Sequence, residues 1–317
     1  MAKRKRGLSA LIVVPVLVIL IGLVGSYIAA VMIYDASFNY RCSTPEDMKK
    51  DIADYPELSA ERHTFKSDKG QTLVGYLYES IDESIEKKAL VVFAHGLGGG
   101  GQNAYMELYD ICAAMGYYVF AYDATANDES EGERIGGLPQ GYIDLDHAID
   151  YAKSIDGPGE LPLVLAGYSW GAMSVANVLN YHPEAVAVVS FAGWNRSMDL
   201  IEHVGCGKVG EIGKLLLPFA ELYEHIKYGD YADSTAISGF AASDAAVMIV
   251  HGREDTTVPP GYGIDLYREA YQNDPRFTFV EYPDRDHSVI MGEDGEIDEE
   301  LVRRALDFVA AALRDRQ

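Results

Sequence analysis

Short apolar runs recur along this chain at residues 89–94, 117–122, 161–167, 185–191, 246–251 and 277–282. Helical patterns separate most of them, at 105–115, 142–154, 171–180, 263–271 and 298–314. This alternation predicts a mostly parallel sheet with helices on both faces. Two alternating segments, 63–67 and 71–78, precede it around a Lys69-Gly70 turn and read as a hairpin. In sheets of this kind ligands bind beyond the carboxyl ends of the strands. Residues just after each apolar run are therefore where chemistry should be sought.

Between residues 194 and 243 the rhythm breaks. A structureless loop of that length would be unusual, and Ile212 to Tyr228 is amphipathic. The segment reads as a small helical cap inserted between two strands and lying over the site. Its apolar positions, Leu215, Leu216, Leu217, Phe219, Leu222 and Tyr223, suit either packing on the core or an acyl chain.

Gly167-Tyr168-Ser169-Trp170-Gly171 sits at a strand-to-helix junction. A serine between glycines can be held in a sharp elbow that lifts its hydroxyl above the sheet and aims the next N–H at the same point. Alone the pentapeptide is a weak signal, and its plain reading is a Gly-rich turn. Further segments support it. Val91 to Gly101 is a strand running into a glycine-rich loop, whose amides can approach a developing oxyanion. The donors expected are the N–H groups of Leu97 and Trp170. A phosphate cradle is the alternative, but no Gly-Lys-Ser/Thr follows and the GxGxxG spacing is absent. His95 is expected to brace that loop rather than act as a base.

After the strand at 246–251 comes a polar turn carrying Asp255, the candidate acid, with Glu254 as its local rival. An aspartate satisfying turn amides is the ordinary alternative, and His251 reads as a turn residue. Beyond the last strand lies His287, the candidate general base. The order Ser169, Asp255, His287 is one that a serine hydrolase uses.

With these residues in view, the chain resembles the α/β-hydrolase superfamily, and most closely its serine aminopeptidase-like or lysophospholipase-like branch. The matching pieces are His95-Gly96, Gly167 to Gly171, His251 to Pro259 and Asp286-His287. The hairpin strand Phe65-Lys66-Ser67 with its Gly70 turn also resembles that branch, as does Tyr122-Asp123 through Ser130-Glu131-Gly132. Where the family often has Asp-x-Arg-Gly-x-Gly-x-Ser, this chain has Thr125, Ala126 and Asn127, which affects the local loop. Ala172 replaces a frequent glycine. The resemblance covers roughly residues 60 to 315.

The resemblance implies an α/β-hydrolase fold and an acyl hydrolase. Ser169 would attack a carbonyl, His287 would move the proton, Asp255 would orient His287, and Leu97 and Trp170 would hold the oxyanion. It implies no cofactor and no metal. A carboxylic ester with a small-molecule or lipid-like acyl part is the favoured substrate. A peptidase of the same fold is the nearest alternative, with Glu221 and Glu224 as possible readers of an amino terminus. A catalytically inactive membrane-anchored binding protein is the alternative of another class.

The first part of the chain is separate. Residues 7–34 contain no charge, and at about 1.5 Å per residue they exceed a hydrocarbon core of about 30 Å. Lys3, Arg4, Lys5 and Arg6 precede them, which predicts a cytoplasmic N-terminus and an extracytoplasmic body at the cell membrane. A cleaved signal peptide is the rival reading, although the run is long and shows no clean cleavage site. The expected organisation is a basic tail at 1–6, a transmembrane anchor at 7–34, a linker at 35–60 and a hydrolase domain at 61–317 with its cap at about 194–243. Within the linker, Thr44-Pro45-Glu46-Asp47 reads as the start of a short helix reaching about Tyr55.

Charge excludes one class of partner. The formal net charge is −23, and the four basic residues at the start make the body more acidic still. Nucleic acid is therefore excluded, since its phosphates require neutralisation by Lys or Arg. Three cysteines make no disulfide framework. Cys112 reads as a buried apolar residue, and Cys42 and Cys206 are the one pair open to an oxidising compartment.

Overall fold

The structure is a computed structural model. It describes residues 2–98, 100–292 and 295–316, with side chains from residue 12 onward except at 206, 208, 209, 211 and 212. The side chains of Lys3 to Arg6 and of Cys206, and Gly99 as a whole, lie outside the described residues.

Eight strands form one sheet. They are β1 (Leu58–Lys66), β2 (Thr72–Ser80), β3 (Ala89–Ala94), β4 (Tyr117–Asp123), β5 (Leu163–Tyr168), β6 (Ala187–Phe191), β7 (Ala246–Gly252) and β8 (Phe277–Tyr282). Their order is β1-β2-β4-β3-β5-β6-β7-β8. The hairpin β1–β2 and the β2–β4 pair are antiparallel, and every pair from β4 to β8 is parallel. Because β4 lies on one side of β3 and β5 on the other, the chain reverses direction across the sheet at β3. The ends of β3 and β5 therefore frame a crevice.

The central strands are buried along their whole length, as uninterrupted apolar runs require. Helices α2 (Met106–Ala114) and α9 (Glu299–Arg314) cover one face through Leu108, Tyr109, Leu301, Val302 and Leu306. Helices α3 (Gln140–Lys153), α4 (Trp170–Asn177) and α8 (Ile264–Tyr271) cover the other through Tyr142, Leu145, Met173 and Tyr267. In α9 the buried positions recur at helical spacing, and Asp298 caps the helix by accepting from the Leu301 N–H at 2.9 Å.

Between β6 and β7 the inserted segment is helical, as its length demanded: α5 (Ser197–Val209), a 3₁₀ stretch (Gly210–Leu215), α6 (Leu217–Tyr228), a second 3₁₀ turn (Gly229–Asp233) and α7 (Ala236–Ala242). The helix expected from Thr44 to about Tyr55 does not form. Only a turn at 46–48 and a 3₁₀ turn at Ile52–Asp54 are present. Thr44, read as its cap, is engaged elsewhere. Its N–H and hydroxyl donate to Asp128 at 2.8 and 2.6 Å, and its hydroxyl accepts from the Gly101 N–H at 2.7 Å.

Helix α1 (Ala2–Ser37) is long and apolar enough from Ile12 onward to cross a membrane. Residues 12–25 are exposed throughout. From Ser26 the helix meets the body, and Ala30, Tyr34 and Phe38 form a buried stripe at four-residue spacing.

The packing makes a stability prediction. Leu306 is 5% exposed in the α9 layer. Leu306→Ala should destabilise the chain by about 2–4 kcal/mol, the range for a truncated core leucine. The check is denaturant unfolding of the full chain in detergent micelles.

Candidate active site

At the junction of β5 and α4, Ser169 has φ 54° and ψ −114°. A non-glycine residue rarely holds this backbone, and the conformation costs about 1–3 kcal/mol. Neighbouring backbone makes the elbow possible. A Cβ on Gly171 would run into the carbonyl oxygen of Ala94, the last residue of β3. Glycine there lets α4 start directly against the end of that strand. A methyl group on Gly96 would lie 3.5 Å from the Ser169 Cβ. The turn that follows β3 thus passes beside the serine, with Leu97 next in sequence and Trp170 opening α4.

Two further loops bring in an imidazole and a carboxylate. Ser169 Oγ lies 2.8 Å from His287 Nε2, and His287 Nδ1 lies 2.8 Å from Asp255 Oδ2. Asp255 Oδ1 accepts the N–H groups of Thr257 and Val258 at 2.9 and 2.8 Å. The fully buried His251 places its Nε2 2.9 Å from the Val258 carbonyl and 3.3 Å from Asp255 Oδ2. Since a carbonyl only accepts, His251 Nε2 carries the proton. Burial alone would raise the Asp255 carboxyl. Hydrogen bonds from His251 and His287, with the positive form of His287 and the Val258 amide, outweigh it and hold the group below the usual carboxylate range.

An ionised Asp255 can only accept, so His287 carries its proton on Nδ1 and turns a free Nε2 toward the serine hydroxyl. The two loops meet through Gly252, where a Cβ would strike the carbonyl oxygens of Arg285 and Asp286. Glu254, the rival of Asp255, is exposed and outside this chain of bonds.

His95 braces the turn after β3. Its Nε2 accepts the Ala124 N–H at 3.0 Å, so its Nδ1 donates to the Gly96 carbonyl at 2.7 Å. Burial lowers its pKa and keeps the ring neutral. The loop after β4, which lacks the expected glycines, still takes left-handed backbone at Ala126 (φ 62°) and Asp128 (φ 32°). It is held by the segment after α1: Cys42 donates its N–H to the Ala126 carbonyl at 2.9 Å, and Asp128 returns one to the Cys42 carbonyl at 3.1 Å. Sequence reasoning missed this strap, because no motif marks it.

A cavity of about 340 Å³ lies between the sheet, the cap and α1, and of the expected site residues Leu97 lines it. Leu97 and Leu138 line it on the side of the sheet, and Leu138 accepts a hydrogen bond from Trp170 Nε1 at 2.8 Å. Leu216 and Leu217 line it from the cap, and Ala30 and Ile33 from α1. Of the apolar cap positions, Leu216 and Leu217 thus face the cavity. Leu215 and Leu222 are 71% and 49% exposed, and Tyr223 donates to Asp35.

Comparison with known proteins bears on the fold. Residues 85–216 match the family model described as serine aminopeptidase, S33. No curated protein gives a significant match. Among solved structures, an esterase of Pyrococcus furiosus superposes with a TM-score of 0.66 at 16% identity, covering 87% of this chain and 99% of its own. An acylaminoacyl peptidase of Pyrococcus horikoshii gives 0.59 at 15% identity, covering 81% of this chain and 42% of its own. The protein DcsB, solved with its substrate analogue, gives 0.59 at 15%, covering 80% and 100%. These likenesses show a shared α/β-hydrolase fold.

Asp123 beside this site sets a pH dependence. Burial raises its carboxyl to about 7, above the ordinary 3.8. Between those values the unfolded chain has released the proton and the folded chain keeps it, so this group's contribution to stability falls as pH rises from about 4 to 7. Asp123→Asn should remove that component. Unfolding free energies at pH 5 and 8 check it: the variant should gain stability relative to wild type as pH rises.

Proposed function

We propose that this chain, an α/β-hydrolase fold whose residues 85–216 match the serine aminopeptidase, S33, model, is a membrane-anchored serine hydrolase cleaving carboxylic esters or related acyl compounds. The observation that carries this reading is the hydrogen-bonded chain Ser169–His287–Asp255, with both side-chain contacts at 2.8 Å.

In this reading Ser169 Oγ attacks the carbonyl carbon while His287 Nε2 takes its proton. The developing oxyanion is held by the N–H groups of Leu97 and Trp170, a contribution of about 3–4 kcal/mol for one donor in a well-studied protease. Collapse of the tetrahedral intermediate expels the alcohol, which takes the proton from His287 and leaves an acyl-serine. Water, deprotonated by the same nitrogen, then attacks the acyl carbon and frees the acid and Ser169. Asp255 keeps the imidazole in the required tautomer and stabilises its charged form.

An ester is favoured over a peptide by the surroundings of the two cap acids. Glu221 pairs with Arg196 at 3.2 Å. Glu224 is buried and accepts from Tyr34 and Ser197, both at 2.6 Å. Neither lines the cavity as a reader of an amino terminus. An uncleaved anchor is favoured over a signal peptide by the same Tyr34–Glu224 bond and by the buried stripe of α1, since removal of the helix would uncover the cap residues Leu216 and Leu217. The basic residues before the anchor orient it with the N-terminus in the cytoplasm and the body outside. The domain limits are then residues 7–34 for the anchor and 61–317 for the hydrolase, with the cap at about 194–243.

A fluorophosphonate probe tests this reading on the full chain. Wild type should label covalently and Ser169→Ala should not, and Asp255→Asn should lower kcat toward esters by about 10⁴-fold, as loss of the equivalent group does in a protease. A folded wild type that neither labels nor cleaves ester, thioester or amino-acyl amide substrates would leave the binding-protein reading standing.

A further inference from the structure

From the wall that α1 contributes to the cavity, we infer that the membrane anchor is part of the acyl-binding site and that the substrate is a long-chain acyl lipid drawn from the bilayer along that helix. The inference rests on the serine hydrolase reading above and adds the source and class of its substrate.

The cavity lies between three parts of the fold. α1 supplies Ala30 and Ile33, Phe38 just after it extends that wall, the cap supplies Leu216 and Ala220, and the turn after β3 supplies Leu97. None of its described lining residues is charged. The one aliphatic hydroxyl, on Ser37, is committed to the Ile33 carbonyl at 2.8 Å. The Tyr34 hydroxyl donates to Glu224 at 2.6 Å, which also fastens α1 to the cap. A space of this size and polarity suits an apolar chain and offers nothing to an ionised head. Leu97, whose N–H is the proposed oxyanion donor, is among its lining residues, and the turn that carries Leu97 passes beside Ser169.

The mouth opens beside α1. Ile33, Ser37, Tyr40 and Val204 line the cavity and are exposed, which marks its opening. Residues 7–25 alone, at about 1.5 Å each, match the roughly 30 Å hydrocarbon core. The hydrocarbon boundary then falls near Ser26, where α1 first meets the body. Ala30 sits about one turn beyond it, at the level of the lipid headgroups. Ile28 and Met32 on α1, and Leu222 and Ile226 on α6, are exposed apolar side chains on the two helices that pack together here. A soluble surface would not keep them, whereas an interfacial one would. A lipid can rise along α1 with its chain in apolar contact and present its ester at Ser169.

The test uses the full chain in phosphatidylcholine nanodiscs. Wild type should prefer 4-methylumbelliferyl palmitate over the butyrate, with kcat/KM rising by up to about fourfold per buried methylene. Ala30→Trp and Ala220→Trp, which fill the cavity from opposite walls, should each lower the palmitate-to-butyrate ratio at least tenfold. Ile19→Trp, exposed in the apolar span of α1 and away from the cavity, should not. An unchanged ratio in both filling variants overturns the inference while leaving the hydrolase reading intact. A wild type that cleaves neither ester and does not label with fluorophosphonate overturns the hydrolase reading, and this inference with it. A second readout needs no turnover. In Ser169→Ala, a diazirine-palmitoyl phosphatidylcholine in the nanodisc should crosslink to the peptides carrying Leu138 and Leu216–Ala220. Crosslinks confined to residues 12–28 would overturn the inference.

Discussion

The start of α4 lies in backbone contact with the end of β3. Gly171 sits so close to the Ala94 carbonyl that no side chain fits between them, and the site depends on this approach. It accompanies the strained conformation of Ser169 and sets the turn after β3 beside the serine. A larger residue at 171 would push the start of α4 away from the end of β3. The strain is local and the restraint is broad: α4 is buried along its whole length. The backbone has no cheaper place to relax, which is how a conformation costing about 1–3 kcal/mol persists.

Charge is managed by the same economy of backbone. Asp255 is a buried carboxylate in a molecule rich in acids, yet it stays ionised because two amides and two imidazoles point at it. His251 has no contact with the serine. It acts on the acid and so on the orientation of His287. Asp123, also buried, accepts the Gln102 N–H at 2.9 Å and a weaker bond from Glu129 at 3.4 Å, and it goes the other way, its carboxyl raised to about 7. Two buried aspartates thus differ in protonation because one receives hydrogen bonds from two amides and two imidazoles, whereas burial, aided by the nearby Asp128 and Glu129, raises the other.

Much of this was legible in the residues. Apolar runs gave the strands because buried parallel strands need no alternation, and the unbroken span from 194 to 243 implied a cap because an uncovered loop of that length would be unusual. Asp255 and His287 stood out by their place after strands and by their order. What stayed hidden was tertiary. Thr44 reads as a helix cap, but Asp128 captures its donors, and nothing near Thr44 announces a partner so far along the chain. Ala126 and Asp128 adopt left-handed backbone without the glycine that would signal it; the strap at Cys42 imposes that shape from outside. The role of His251 was equally invisible, since a histidine before a glycine reads as a turn until its ring is seen against Asp255.

Read as an anchor, α1 changes what the body can be. A helix that merely tethers an enzyme leaves it free to tumble above the bilayer, and its sequence need only be apolar. Here one side of α1 is committed. Asp35 accepts from Tyr223 and Lys227, each at 2.9 Å, while Tyr34 meets Glu224. The chain then continues directly into the strap that shapes the loop after β4. These contacts fix the angle between helix and sheet, and so the direction in which the cavity opens. They also make the body incomplete without the helix: its loss would uncover Leu216 and Leu217 and take from Glu224 Oε1 one of its two donors. In the proposed reading α1 spans lipid, closes a cavity and holds a loop, three constraints at once, and the buried stripe at Ala30, Tyr34 and Phe38 is where the second and third are written into an otherwise featureless apolar run.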